Sequence, residues 1–221
     1  MPAEVLLFGG TFDPPHVGHL MIADLAREQM GVDEVWFLPA PEPPHKPKGL
    51  RHSFMTRVRM VDALCEGYPS LYCRPIEAFL PTPSYSVDTV RACRRWWPET
   101  RFRFLVGADS LAQLPAWQEA AELVSLLDMV VAVRTDYPIH QVIDDVKQAL
   151  PAIKLEVLHM PLVDVSSTWI RSRFDAGQSL CEVVPSRVLE IWAVGQKSGE
   201  LGEKGQDAPK ANSRGGTEGA I

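Results

Sequence analysis

The segment FGGTFDPPHVGHL, residues 8–20, places two imidazoles, His16 and His19, behind a glycine pair and a Pro-Pro. Apolar residues flank it on both sides, so a strand is expected to end there and a helix to begin. Gly9 and Gly10 allow a tight turn and a close approach of backbone to a ligand. The helix starting near Gly18 offers unpaired N–H groups and a positive dipole end to the same space. That combination suits an anion, and above all a phosphate. His16 and His19 then face the anion from the loop and the first helical turn. Both can donate hydrogen bonds to phosphate oxygens, more strongly when protonated. Taken alone, the spacing also fits polar residues satisfied at a helix start, or a metal pair whose third ligand is not nearby.

The rest of the chain supplies elements that could position such a segment. Strands are expected at residues 4–10, 34–40, 71–76, 101–109, 129–134 and 154–160. Helices are expected at 18–31, closed by Gly31; at 53–67, with Ser53 as N-cap; and at 83–98, stopped by Pro98. Further helices are expected at 139–150, 166–177 and 186–195. A loop over 41–50 is too rich in proline for helix or sheet interior. Strands alternating with helices imply an α/β fold, a parallel sheet with right-handed crossovers. Ligands of such folds sit outside the carboxyl ends of the strands, where strand order reverses. The glycines after the first strand and after RFRFLV mark two such ends.

At 221 residues one domain is expected, over 1–196, with its C-terminal helical part at about 166–196. Residues 197–221 are polar and Gly-rich with little to bury, and are expected to be a disordered tail. A net charge of −6 disfavours general nucleic-acid binding, so an anionic ligand needs a local positive cluster. The four cysteines form no C-x-x-C pair and read as free thiols of a reducing compartment. No basic leader precedes the first apolar run, and no stretch approaches the roughly 20 apolar residues of a membrane span. A cytoplasmic protein with no membrane or nucleic-acid partner is expected. The apolar helix faces near the C-terminus can bury against the sheet or against a second subunit, so a homo-oligomer stays open.

GGTFDPPHVGHL closely resembles the G-G-x-F-D-P-x-H-x-G-H signature of the nucleotidyltransferase superfamily. The resemblance implies a Rossmann-like fold with helices on both faces of the sheet, and transfer of a nucleotidyl group to a phosphate or similar acceptor. It implies that His16 and His19 stabilise charge building on a nucleoside triphosphate. VSSTWIRSRF resembles the superfamily's late I-S-S-T-x-I-R segment, with Val165 in place of Ile. Ser166, Ser167, Thr168 and Arg171 occupy its triphosphate-binding positions, and Arg171 joins the two histidines as a catalytic residue; alone, the segment also reads as a Ser/Thr helix cap. The implied ATP contacts are Gly9, Gly10, Thr11, Phe12, His16, Gly18 and His19, then Gly107 and Asp109, then the late segment. Mg²⁺ is expected, held mainly by ATP phosphates rather than a protein cage.

LPAPEPPHK, PSYSVDTV and FLVGADSLAQLPAW resemble segments of bacterial nicotinate-nucleotide adenylyltransferases, and the likeness spans about residues 4–194. It implies ATP and nicotinate mononucleotide as substrates. Trp117 would stack on the pyridine ring, an indole face suiting a flat aromatic ligand; the alternative is a core tryptophan. Ser86 stands where the family has a threonine and keeps its hydroxyl. Asp109 would take a ribose hydroxyl, or cap the helix that follows. His45 and Lys46 would approach phosphates from the Pro-rich loop. Arg134 stands where the family often has R-P-G, but Thr135 and Asp136 follow here, so the local turn must differ. Other acceptors, nicotinamide mononucleotide or phosphopantetheine, and a non-catalytic nucleotide-binding module on the same fold remain as rival readings. Phosphopantetheine enzymes are usually shorter and lack the P-P-H-K and S-Y-T-V-D-T segments.

Overall fold

In a computed structural model, the described residues are 2–42, 50–134, 138–161, 163, 165–180 and 183–203, with side chains described to 195. Its centre is β1 (Glu4–Gly10), whose residues alternate between the two faces of a sheet. Val5 and Leu7 enter one core and Leu6 the other, all three fully buried. β2 (Glu34–Pro39) and β4 (Arg101–Gly107) pair with it on either side, both parallel. β3 (Leu71–Cys73), β5 (Asp128–Arg134) and β6 (Leu155–Met160) complete a six-stranded parallel sheet in the order β3-β2-β1-β4-β5-β6. The order reverses between β1 and β4, so Gly9 and Gly10 stand beside Gly107 at the switch point.

One face is covered by α3 (Ser86–Trp96), α4 (Ala108–Gln113), α5 (Ala120–Leu126) and α6 (His140–Ala149). The other is covered by α1 (Val17–Met30), α2 (Phe54–Cys65), α7 (Ser167–Asp175) and α8 (Ser186–Glu203). Gly31 ends α1 in the left-handed conformation at φ 67°, and the Ser53 hydroxyl accepts the Thr56 N–H at 3.2 Å to cap α2. Trp192 and Val188 of α8 are fully buried in this second core, so the apolar face of that helix packs within the fold.

Three expectations change. The strand expected at 71–76 stops at Cys73, because Pro75 has no N–H for the ladder and a 3-10 turn at Ile76–Phe79 follows. Asp109 is not a cap; Gly107 is, and Asp109 lies in the first turn of α4, where a negative charge suits the helix dipole. The last helix continues past Lys197 to Glu203, since each added helical residue gains a backbone bond once the helix is nucleated. Residues 204–221 lie outside the described residues, and the tail stays an expectation for them.

Because the glycine turn is an extension of β1, packing at the strand's centre should govern stability. Leu7→Ala is expected to cost about 2–5 kcal/mol in urea unfolding, as a fully buried leucine would leave a cavity.

Candidate active site

At the switch point a cleft of about 700 Å³ opens, lined by Gly9, Gly10, Thr11, Ser86, Gly107, Asp109 and Trp117 among others. Each lining residue has a local origin. The glycines end β1 and β4. Ser86 opens α3, and Trp117 follows a 3-10 turn containing Pro115. The Trp117 ring meets Phe104 edge-on at 6.4 Å, which fixes one edge of the indole within a partly exposed site. Glu77, buried at 9% exposure, also lines the cleft. It accepts hydrogen bonds from Ser84 Oγ at 2.7 Å and Thr89 Oγ1 at 3.2 Å, so it fastens the start of α3 from below.

The histidine loop flanks this cleft through Phe8, which lines it and lies 5.9 Å from the His19 ring. Phe12 takes the left-handed conformation at φ 51°, a costly one for a non-glycine residue. Its ring fills the space above Gly10, where a Cβ would come within 2.7 Å. His16 caps α1 and His19 lies in its first turn, with ring centroids 3.8 Å apart. The His16 N–H donates to His19 Nδ1 at 3.1 Å. That bond occupies Nδ1 as acceptor and leaves the hydrogen of neutral His19 on Nε2. His16 Nδ1 is buried without a hydrogen-bond partner, an open polar atom beside Gly18.

Burial drives the His16 pKa down to about 4. Burial, and repulsion from His16, hold His19 well below its ordinary 6.5. Both imidazoles are therefore neutral at pH 7 in the free protein. The start of α1 also offers fewer free N–H groups than its sequence suggests. Val17 N–H donates to Val183 O at 3.0 Å and His19 N–H to His16 O at 2.9 Å.

The late segment meets this loop directly. Ser167 Oγ donates to Pro14 O at 2.8 Å, and Arg171 donates through Nη1 to Asp13 O at 2.7 Å and through Nη2 to Thr168 Oγ1 at 3.0 Å. Ser166 caps α7, accepting Trp169 N–H at 3.2 Å. Two segments about 150 positions apart in sequence thus share one set of backbone carbonyls.

This architecture has known counterparts. Residues 7–173 match the family model described as cytidylyltransferase-like. A relative from Exiguobacterium sibiricum, named a probable nicotinate-nucleotide adenylyltransferase, is 38% identical over 85% of this chain and 95% of its own. One of the same name from Bacillus pumilus is 37% identical over 84% and 93%. The Plasmodium falciparum nicotinic acid mononucleotide adenylyltransferase complexed with NaAD superposes with a TM-score of 0.71, at 17% identity, over 86% of this chain and 95% of that one. The chain belongs to the cytidylyltransferase-like family.

Within that family frame, the cleft gathers Gly9, Gly10, Thr11, Gly107, Asp109, Ser86 and Trp117, while Phe12, His16, Gly18, His19 and the late segment form its flank. Arg134 ends β5 opposite Met160 and is not among the lining residues. His45 and Lys46 lie outside the described residues. Three residues were missed in the sequence: Asp13, Arg57 and Glu77. Arg57 is fully buried on α2 and donates to Thr11 O at 2.8 Å and Pro41 O at 3.0 Å, holding the loop from beneath. It stands among apolar residues at helical spacing, and only its charge within that stripe could have flagged it. Cys65 and Cys93 are free, with thiols pushed up by burial to about 12, so they take no part in nucleophilic chemistry near neutral pH.

The neutral imidazoles give the protein a pH signature. The unfolded chain binds protons at its histidines below about 6.5 while folded His16 does not until about 4, so stability falls as pH drops through that window. His16 alone accounts for about 3 kcal/mol of this loss at its full extent. His16→Gln should therefore flatten the dependence of unfolding free energy on pH between 6.5 and 4.5 in urea titrations. An unchanged slope would mean that His16 is charged in the folded protein.

Proposed function

We propose that the protein transfers AMP from ATP to nicotinate mononucleotide, forming nicotinate adenine dinucleotide and pyrophosphate in NAD biosynthesis. The observation that carries this reading is the pair of hydrogen bonds from Ser167 and Arg171 to Pro14 and Asp13, which joins the two segments that resemble triphosphate-binding motifs beside a cleft lined by Trp117. The names of the relatives supply the acceptor class.

In this mechanism an oxygen of the acceptor's 5′-phosphate attacks the α-phosphorus of ATP. The bond from that phosphorus to the bridging oxygen breaks, and its electron pair leaves with pyrophosphate. The acceptor phosphate is anionic at pH 7, so no general base is needed. The protein contributes alignment and charge neutralisation. His19 donates from Nε2 to the polyphosphate, and His16, whose ring lies 3.8 Å from that of His19, joins it there. Arg171 adds a fixed positive charge. Asp109 holds a ribose hydroxyl, and Trp117 and Ser86 hold the pyridine end. Mg²⁺ travels with the triphosphate as part of the ATP substrate. Among the described residues no three His, Cys, Asp or Glu side chains gather in a way that could hold a metal, and no helix is long and apolar enough to cross a membrane.

Pyrophosphate release with ATP and each of nicotinate mononucleotide, nicotinamide mononucleotide and phosphopantetheine tests the reading. The highest kcat/KM is expected with nicotinate mononucleotide, and release with none of the three would overturn it. His19→Ala is expected to lower kcat by about 10²–10³-fold, as for loss of one preorganised donor. Trp117→Ala should raise KM for the pyridine nucleotide roughly tenfold and leave that for ATP nearly unchanged.

A further inference from the structure

His52 belongs to neither motif, yet it is the side chain on which the histidine loop rests. It immediately precedes the cap of α2 and is fully buried in its side chain. Its Nδ1 lies 2.7 Å from Asp13 Oδ1, and its Nε2 lies 3.2 Å from the main-chain oxygen of Trp192 on α8. The second Asp13 oxygen accepts Arg51 N–H at 2.7 Å, and the Asp13 main-chain oxygen accepts Arg171. The Trp192 ring packs on Phe174 of α7 at 4.4 Å, and α7 also carries Arg171. One buried imidazole therefore touches the loop that holds His16 and the helix that closes the chain's second core.

Gly195 makes this contact feasible. A Cβ at 195 would come within 2.8 Å of His52 Cδ2 and 2.9 Å of Thr56 Cγ2. The His52 ring is held at both nitrogens and Thr56 Oγ1 is engaged with Ser53 at 3.0 Å, so neither can swing away at no cost. Helix propensity alone would favour alanine over glycine at such a position. The glycine is thus explained by the ring beside it and not by the helix.

We propose that His52 is a positioning residue for the transfer reaction, fixing the histidine loop through Asp13 according to the placement of α8, and that Gly195 sets that placement. This rests on the reading of the site as an adenylyl-transfer centre. Interactions that align the polyphosphate act mainly in the transition state, so displacing the ring should lower kcat and leave acceptor binding, on the other side of the cleft, nearly untouched.

The test uses the full chain with Gly195→Ala, His52→Gln and the double variant, after a thermal-melt check that each is folded. Each single variant is expected to lower kcat for pyrophosphate release about tenfold, with KM for nicotinate mononucleotide within about twofold of wild type. The double variant should be no worse than the poorer single, because both act through one contact. Unchanged kcat, effects that multiply, or a KM that rises in step with the loss of kcat would each overturn the proposal. ¹⁵N-histidine NMR reads the same displacement without turnover, and so decides the proposal even if wild type proves inactive and the functional reading falls. His16 and His19 ring resonances should shift in Gly195→Ala, and resonances identical to wild type would refute the coupling.

Discussion

The buried carboxylate of Asp13 is the constraint on which the site depends. Only 2% of it is exposed. Burial by itself pushes its pKa up, but the His52 hydrogen bond, the Arg51 N–H and the charges of His52 and Arg171 outweigh that and hold the group below its ordinary value. An ionised carboxylate in the interior tolerates no missing partner, and breaking such a pair costs about 3–5 kcal/mol. The energetic demand of one charge therefore draws together the loop after β1 and the start of α2, and His52 extends the contact to Trp192 in the first half of α8. The same residue's main-chain oxygen receives Arg171, so the fourth element, α7, is drawn to the same point.

That arrangement separates what is strained from what is rigid. Phe12 sits at positive φ and His16 leaves a ring nitrogen open, both unfavourable on their own. They persist because Arg57 clamps the carbonyls of Thr11 and Pro41 below them while Ser167 and Arg171 clamp Pro14 and Asp13 beside them. A loop whose carbonyls at Thr11, Asp13 and Pro14 are held by Arg57, Arg171 and Ser167 cannot relax toward an ordinary conformation.

Much of this was legible in the sequence. Short continuous apolar runs placed all six strands, because burial on both faces of a parallel sheet leaves a strong signal, and helical apolar spacing placed the covering helices other than α4 and α5. The boundaries of β1, α1 and α2 follow from Gly10, Gly31 and Ser53, each of which has a local steric or capping reason. The glycine turn and both histidines fit an anion site by residue type and spacing, and it was the resemblance to the nucleotidyltransferase superfamily that pointed them and the late Ser/Thr/Arg segment to a triphosphate. Asp13, Arg57 and Glu77 were not legible: Asp13 finds its partners 38 or more positions away, Arg57 is buried in a stripe that reads as apolar, and Glu77 is set by a short 3-10 turn with no pattern of its own. The short α4 and α5, in the stretch between β4 and β5, gave no period long enough to read, and their packing under Trp117 is decided by tertiary contact.

The neutrality of the two histidines resolves a difficulty that the overall charge creates. A protein of net charge −6 must still collect a polyanionic ligand. Placing two imidazolium rings 3.8 Å apart in a buried loop would supply the charge, but their mutual repulsion and lost hydration would oppose folding. Neutral rings avoid that penalty and still present N–H donors, so the free protein keeps its loop intact. A cationic side chain bonded to this loop is Arg171, held by a carbonyl and a hydroxyl rather than by an acid. Among the described residues no carboxylate is hydrogen-bonded to that guanidinium, although its charge also acts on Asp13 and Asp175. In the proposed transfer the division of labour follows from dielectric environment: the buried imidazoles would give direction and the less buried arginine would give charge, at the switch point of the sheet.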